Sequence, residues 1–199
     1  MKTPLIIGIT GGIGSGKSTF SRHLRELGLQ VFDTDMEAKN LQNFCPVVRN
    51  KVIAEFGEGV YNANGLDRAK MAQIVFANAD KLQILNNIVH PEVKKKFYEW
   101  VMIHPEERFL FMECAILFEG GFNELVDKIV LVTAPIEERI RRVMNRDNVT
   151  AEHVMARVRN QWADEEKKRL ADWTFDTNND IFPSARVHDF LSMLEHTLL

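Results

Sequence analysis

The run Gly11-Gly12-Ile13-Gly14-Ser15-Gly16-Lys17-Ser18-Thr19 fits the pattern Gly, four residues, Gly, Lys, then Ser or Thr. Each residue type in it has a chemical use. Glycines let backbone N–H groups turn inward around an anion, Lys17 offers a mobile charge to β- and γ-phosphates, and the Ser18 hydroxyl is suited to Mg²⁺. Two further groups could complete a phosphoryl transfer. Asp33 and Asp35, in Asp33-Thr34-Asp35, offer a carboxylate that could take a proton. Arg139, Arg142 and Arg146 stand at i, i+3 and i+7, so on a helix they share a face and can meet developing phosphate charge. A regulatory GTPase needs Asn-Lys-x-Asp and Asp-x-x-Gly, and neither occurs; the nearest stretch, Asn50-Lys51-Val52-Ile53, lacks the aspartate.

These residues need elements to hold them. Leu5 to Thr10 is a short apolar run suited to a buried parallel strand, and Lys17 to Leu27 reads as a helix closed by Gly28. Leu29 to Asp33 is a second strand, delivering the two aspartates at its carboxyl end, where open α/β sheets bind ligands. From Met36 to about Arg108 the pattern is helical without obvious strands. Gly57, Gly59, Asn62, Asn64-Gly65 and His90-Pro91 punctuate it as turn signals, and Asp35 suits the N-cap of a helix beginning at Met36. Phe109 to Cys114 and Lys128 to Thr133 are further strands, with Ala115 to Glu119 running on from the first. Pro135 opens a helix that carries the arginine stripe. Thr150 caps a helix through about Leu170, Trp173 to Asp176 is a last strand, and a final helix starts near Ser184. Strands alternating with helices predict a parallel sheet with helices on both faces.

The 199 residues, 45% hydrophobic and 27% charged, fit one α/β domain with an insertion. A net charge of −3 provides no basic field for a nucleic-acid backbone, which points to a small phosphorylated ligand. The opening apolar run is too short for a secretory signal, and no stretch reaches a membrane span, so no membrane partner is expected. Cys45 and Cys114 lack metal-ligand spacing and suit a reducing compartment, which places the protein in the cytoplasm.

Taken in order, Thr10 to Thr19, Asp33-Thr34-Asp35, Leu66-Asp67-Arg68, His90-Pro91, Leu117-Phe118-Glu119, Arg142 with Arg146-Asp147, Gln161 and Ala171-Asp172 resemble the dephospho-CoA kinase family nearly end to end. The resemblance implies ATP-dependent, Mg²⁺-assisted phosphorylation of the ribose 3′-hydroxyl of dephospho-CoA, giving CoA and ADP. It implies a P-loop nucleotide-kinase-like core over 1–35, 109–147 and 171–199, a helical CoA-substrate-binding domain over 36–108 and a lid over 148–170. Carried over by position, Gly12, Gly14, Ser15, Gly16, Lys17, Ser18, Thr19 and Arg146 bind ATP. Lys17 and Arg142 act on the transferring phosphoryl group, and Asp35 is the favoured base. Asp33 holds the Mg²⁺ shell with Ser18 or orients Asp35. Thr10, Arg68, His90 and Asp35 face the acceptor. Thr34, Ala115 and the Asp176-Thr177-Asn178 stretch depart from the family pattern, the last at the place expected to meet adenine. The same residues also suit another small-molecule P-loop kinase, for a nucleoside, nucleotide or sugar acid, or an ATP-dependent switch; the switch leaves the helical layer and the arginine stripe without a role.

Overall fold

The computed structural model describes residues 3–76, 78–177 and 184–197. Three apolar runs build the centre of a five-stranded sheet: β1 (Leu5–Thr10), β5 (Phe109–Glu113) and β6 (Lys128–Thr133). With β2 (Gln30–Asp33) and β7 (Trp173–Asp176) the order is β2-β5-β1-β6-β7. β1 runs parallel to β5 and β6, and β6 parallel to β7.

Side chains alternate across such strands, and both faces are covered, which is why these runs are continuously apolar. On one face Ile7, Ile9, Phe109, Phe111, Val130 and Val132 pack against Phe20 and Leu24 of α1 (Lys17–Glu26), and against Val187, Phe190 and Leu194 of α9 (Ser184–Thr197). Each large side chain buried there contributes about 1.5–3 kcal/mol. Phe20, Phe175 and Phe190 add ring contacts with centroids 5.2 to 6.0 Å apart. On the other face Leu117 and Val126 lie so close over Gly8 that a Cβ there would meet them at 3.1 and 3.2 Å. α1 ends as expected at Gly28: the Gly28 N–H donates to Arg25 O and the Leu29 N–H to Leu24 O, closing the last turn.

The chain divides into two compact units, Met1–Phe32 with Glu106–Leu199, and Asp33–Pro105. The first also holds α6 (Ile136–Asp147), α7 (Ala151–Val158) and α8 (Asp164–Leu170). The single helix expected from Thr150 to Leu170 is two. Residues 159–163 are drawn out of helix by outside partners, among them Glu119, whose Oε1 accepts the Trp162 N–H at 2.8 Å. The strand expected to run past Cys114 stops at Glu113, and the chain turns through residues 115–121.

The second unit contains α2 (Thr34–Phe44), α3 (Pro46–Phe56), α4 (Arg68–Phe76) and α5 (Ala79–Met102). It differs from the sequence expectation in three places. A small antiparallel hairpin, β3 (Tyr61–Asn62) and β4 (Gly65–Leu66), interrupts the helices. His90-Pro91 is not a turn but lies inside α5. An interior proline costs about 3 kcal/mol, less than would be lost by disrupting the buried stripe Leu85, Ile88, Val89, Val93 and Phe97 that runs through it. Asp33, not Asp35, caps α2: its Oδ1 accepts the Met36 N–H at 2.9 Å. Among the described residues no helix is long and apolar enough to cross a membrane.

Candidate active site

The turn between β1 and α1 wraps tightly around its own centre. The Ser15 N–H donates to Gly12 O at 3.1 Å, and Lys17, almost fully buried, folds its ammonium back onto Gly11 O at 2.7 Å and Gly12 O at 3.2 Å. Gly14 sits at φ 79°, where a Cβ would also press against the Arg139 carbonyl oxygen. At Gly12 a Cβ would collide with the Arg139 guanidinium, so the glycines here allow an arginine to lie against the loop. Gly16 N-caps α1 in the left-handed region, and its carbonyl accepts from Thr19 N–H at 3.0 Å. Among the described residues the hydroxyls of Thr10 and Ser15, buried at the base of this loop, have no hydrogen-bond partner, as befits a site that leaves polar groups for a ligand.

The Ser18 hydroxyl donates to Glu113 Oε1 at 2.8 Å, and Glu113 is buried at the carboxyl end of β5. A hydroxyl and a carboxylate are hard oxygen donors suited to Mg²⁺, which is commonly held by one or two such groups together with substrate phosphates. Among the described residues no cluster of three or more His, Cys, Asp or Glu offers an all-protein metal cage. Sequence reasoning passed over Glu113; its signal was an acid closing an otherwise apolar strand at a ligand-facing end.

Distant side chains brace this loop. The Ile13 N–H donates to Gln161 Oε1 at 2.9 Å, while the Ile13 carbonyl accepts from Arg139 Nε at 3.0 Å. Arg139 in turn pairs with Asp164 at 3.0 Å, and Thr133 Oγ1 donates to the same carboxylate oxygen at 2.6 Å. By spacing Arg139 is one of three equivalent arginines on a helix face; in the structure it is buried against the loop. Lys167, with no exposed surface, pairs with Glu119 at 2.9 Å, and Trp162 stacks on Phe118 at 5.6 Å. Residues 161–167 of the expected lid are therefore fastened to the core.

The rest of the stripe is spread out. Arg142 donates from Nη2 to Thr177 O at 2.6 Å, from Nη1 to Thr177 Oγ1 at 2.9 Å and Gly14 O at 3.4 Å, and from Nε to Glu138 at 2.8 Å. Thr177 passes the bracing on, donating to Ser15 O at 2.7 Å. Asn178, beside it, lies outside the described residues. Arg146 is exposed and chelates Asp147, which Arg157 also meets. Hydrogen bonds from Arg146, then those from Arg157, hold the Asp147 carboxyl down to about 2.

In the second unit Asp33 is committed to its cap and Asp35 lies exposed in the first turn of α2, two residues further on. Asp67 caps the next motif, accepting the Lys70 N–H at 3.0 Å. Arg68 reaches Gln42 Oε1 at 3.2 Å and Lys39 O at 3.5 Å. His90 is half-buried inside α5, where burial, then Lys94, lowers its pKa to about 4, leaving a neutral imidazole at pH 7.

The profile of the family described as dephospho-CoA kinase matches residues 5–182. A dephospho-CoA kinase of Bacteroides fragilis is 42% identical over 161 residues, 81% of this chain and 78% of that one. The solved structure of TT1252 from Thermus thermophilus aligns over all of both chains with a TM-score of 0.84 at 36% identity. Dephospho-CoA kinase from Campylobacter jejuni aligns over 98% of each chain with a TM-score of 0.70 at 25% identity.

Proposed function

The chain belongs to the dephospho-CoA kinase family, phosphotransferases with an alcohol acceptor that complete coenzyme A biosynthesis, and we propose how its residues divide the work of moving the γ-phosphoryl group of ATP to the ribose 3′-hydroxyl of dephospho-CoA. Asp35 accepts the hydroxyl proton as the oxygen attacks the γ-phosphorus. The bond from that phosphorus to the β–γ bridging oxygen breaks, and ADP leaves with the electron pair. The loop from Gly12 to Thr19 binds the phosphates, with the Lys17 ammonium moving from the loop carbonyls onto β- and γ-oxygens. Mg²⁺, when bound, spreads the phosphate charge; Ser18 and Glu113 are the residues we assign to it.

One observation carries the choice of base. Asp33 Oδ1 is occupied by the Met36 N–H, so Asp33 orients the start of α2 and Asp35 is the carboxylate assigned to the chemistry. Arg142 enters transfer by exchanging its bonds to Thr177 for phosphate oxygens, and Arg146 meets ATP by a similar exchange from Asp147. Thr10, Arg68 and His90 serve the acceptor; a neutral His90 can accept as well as donate one hydrogen bond. Among the described residues Cys45 and Cys114 form no disulfide, in support of a cytoplasmic site of action.

Initial rates with dephospho-CoA, adenosine, a nucleoside monophosphate and shikimate, each with ATP and Mg²⁺, test this reading. A kcat/KM at least about 10³-fold higher for dephospho-CoA is expected. Comparable rates on another acceptor would overturn it.

A further inference from the structure

Around Arg68 the hairpin and helices of the second unit hold Arg49, Tyr61 and Gln42, side chains that the reaction has not yet used. The Arg49 guanidinium lies over the Tyr61 ring, 4.3 Å from its centroid. The Tyr61 hydroxyl donates to Gln42 O at 2.8 Å, and Gln42 Oε1 accepts from Arg68 Nη1 at 3.2 Å. Two arginines from different elements, α3 and the start of α4, thus meet around one phenol and one glutamine. Among the described residues neither guanidinium forms an ion pair with a carboxylate. The electrostatics agree: burial raises the Tyr61 pKa, and the charges felt by its hydroxyl are Arg49 and Arg68, both pulling it back down.

Two guanidinium groups gathered around one phenol, with no carboxylate partner among the described residues, are suited to receive an anion. Stacking uses the face of Arg49 and leaves its N–H edge for oxygen acceptors in the ring plane. The place matters as much as the charge. Asp35, Lys39 and Gln42 stand at i, i+4 and i+7 of α2 and so share one face. At a rise of about 1.5 Å per residue, Lys39 and Gln42 lie about 6 and 10 Å along that face from Asp35. Arg68 donates to both of them. In dephospho-CoA five bonds separate the 3′-oxygen from the first phosphorus of the 5′-diphosphate, and a bridging oxygen leads to the second, a comparable span.

We propose that Arg49, Tyr61 and Arg68 form the subsite for the diphosphate of the acceptor: Arg49 and Arg68 donate to its oxygens, and Tyr61 fixes the Arg49 fork from below. This rests on the reading of Asp35 as the base for the ribose hydroxyl. It assigns the subsite to a diphosphate ester, so an acceptor with the same ribose and no diphosphate should be blind to Arg49.

Arg49→Ala, Arg49→Lys and the unaltered protein decide it. The expected result for Arg49→Ala is a KM for dephospho-CoA raised about tenfold, with kcat and the KM for ATP within about twofold. The inhibition constant of adenosine should stay unchanged, and Lys should recover part of the loss. A lower Tm with an unaltered dephospho-CoA KM would make the stack structural and overturn the proposal; so would an equal loss of affinity for adenosine. Should the unaltered protein fail to phosphorylate dephospho-CoA, the functional reading falls by itself, and a second titration judges the subsite. With the phosphate loop saturated by ADP and Mg²⁺, inorganic pyrophosphate should bind the unaltered protein and bind Arg49→Ala about tenfold more weakly. No binding to the unaltered protein, or equal binding to both, would overturn the subsite.

Discussion

Replacing Arg139 by Ala removes the centre of the brace on the phosphate loop, and the cost can be worked from its contacts. The Arg139 and Asp164 side chains are 7% and 18% exposed. Removing one partner of a buried pair typically costs about 3–5 kcal/mol, because the other charge is left uncompensated. Asp164 keeps its bond from Thr133 Oγ1, which favours the lower end, about 3 kcal/mol. Loss of the bond from Arg139 Nε to the Ile13 carbonyl adds about 1 kcal/mol. Arg139→Ala should therefore lower stability by about 4 kcal/mol in urea titrations and Tm by about 10 °C. Neutralising the stranded group should help: Asp164→Asn in the Arg139→Ala background is expected to recover about 1–2 kcal/mol, whereas alone it destabilises. ATP affinity, measured by calorimetry, should fall in parallel because the loop tip is released. A loss below about 1 kcal/mol with unchanged ATP affinity would refute the brace.

Three further expectations follow from the same contacts. Glu113→Gln keeps an acceptor for Ser18 Oγ but removes the charge, so the free Mg²⁺ needed for half-maximal rate should rise about tenfold; an unchanged Mg²⁺ profile would remove Glu113 from the metal. Arg142→Ala should lower kcat about 10²-fold with a smaller change in ATP Kd, and at little cost to folding, because Glu138 still pairs with Arg141; single-turnover rates and ATP titrations check it, and a loss confined to ATP binding would make Arg142 a ground-state clamp. His90 has a folded pKa of about 4 against 6.5 unfolded, so between those values the unfolded chain binds more protons and stability falls as pH drops. Urea titrations at pH 7 and pH 5 should differ by about 2 kcal/mol from this group, and His90→Gln should remove that share of the difference.

Local chemistry was legible where it rests on neighbours in sequence. The phosphate loop, the apolar strands β1, β5 and β6, and the Gly28 stop are each written in consecutive residues. What sequence could not show is what long-range contacts decide. Ile13 is held by residues 126 and 148 positions away, so nothing local distinguishes Arg139 from Arg142 on the same stripe. The break between α7 and α8 comes from partners such as Glu119 and Ile13 rather than from a glycine or proline. Pro91 reads as a turn until the buried stripe through α5 is seen to outweigh it. Asp33 and Asp35 are alike as residues, and only the direction of one cap separates them.

The central claim is that this chain transfers the γ-phosphoryl group to the 3′-hydroxyl of dephospho-CoA with Asp35 as base. ³¹P spectra of a reaction with ATP, Mg²⁺ and dephospho-CoA, run beside a folded Asp35→Asn protein with native ATP affinity, test it most directly. The account predicts one new 3′-phosphomonoester signal for each ADP formed, at a rate about 10²-fold or more lower in Asp35→Asn. ADP accumulating without that signal, or an Asp35→Asn protein as fast as the unaltered one while Asp33→Asn is inactive, would contradict it.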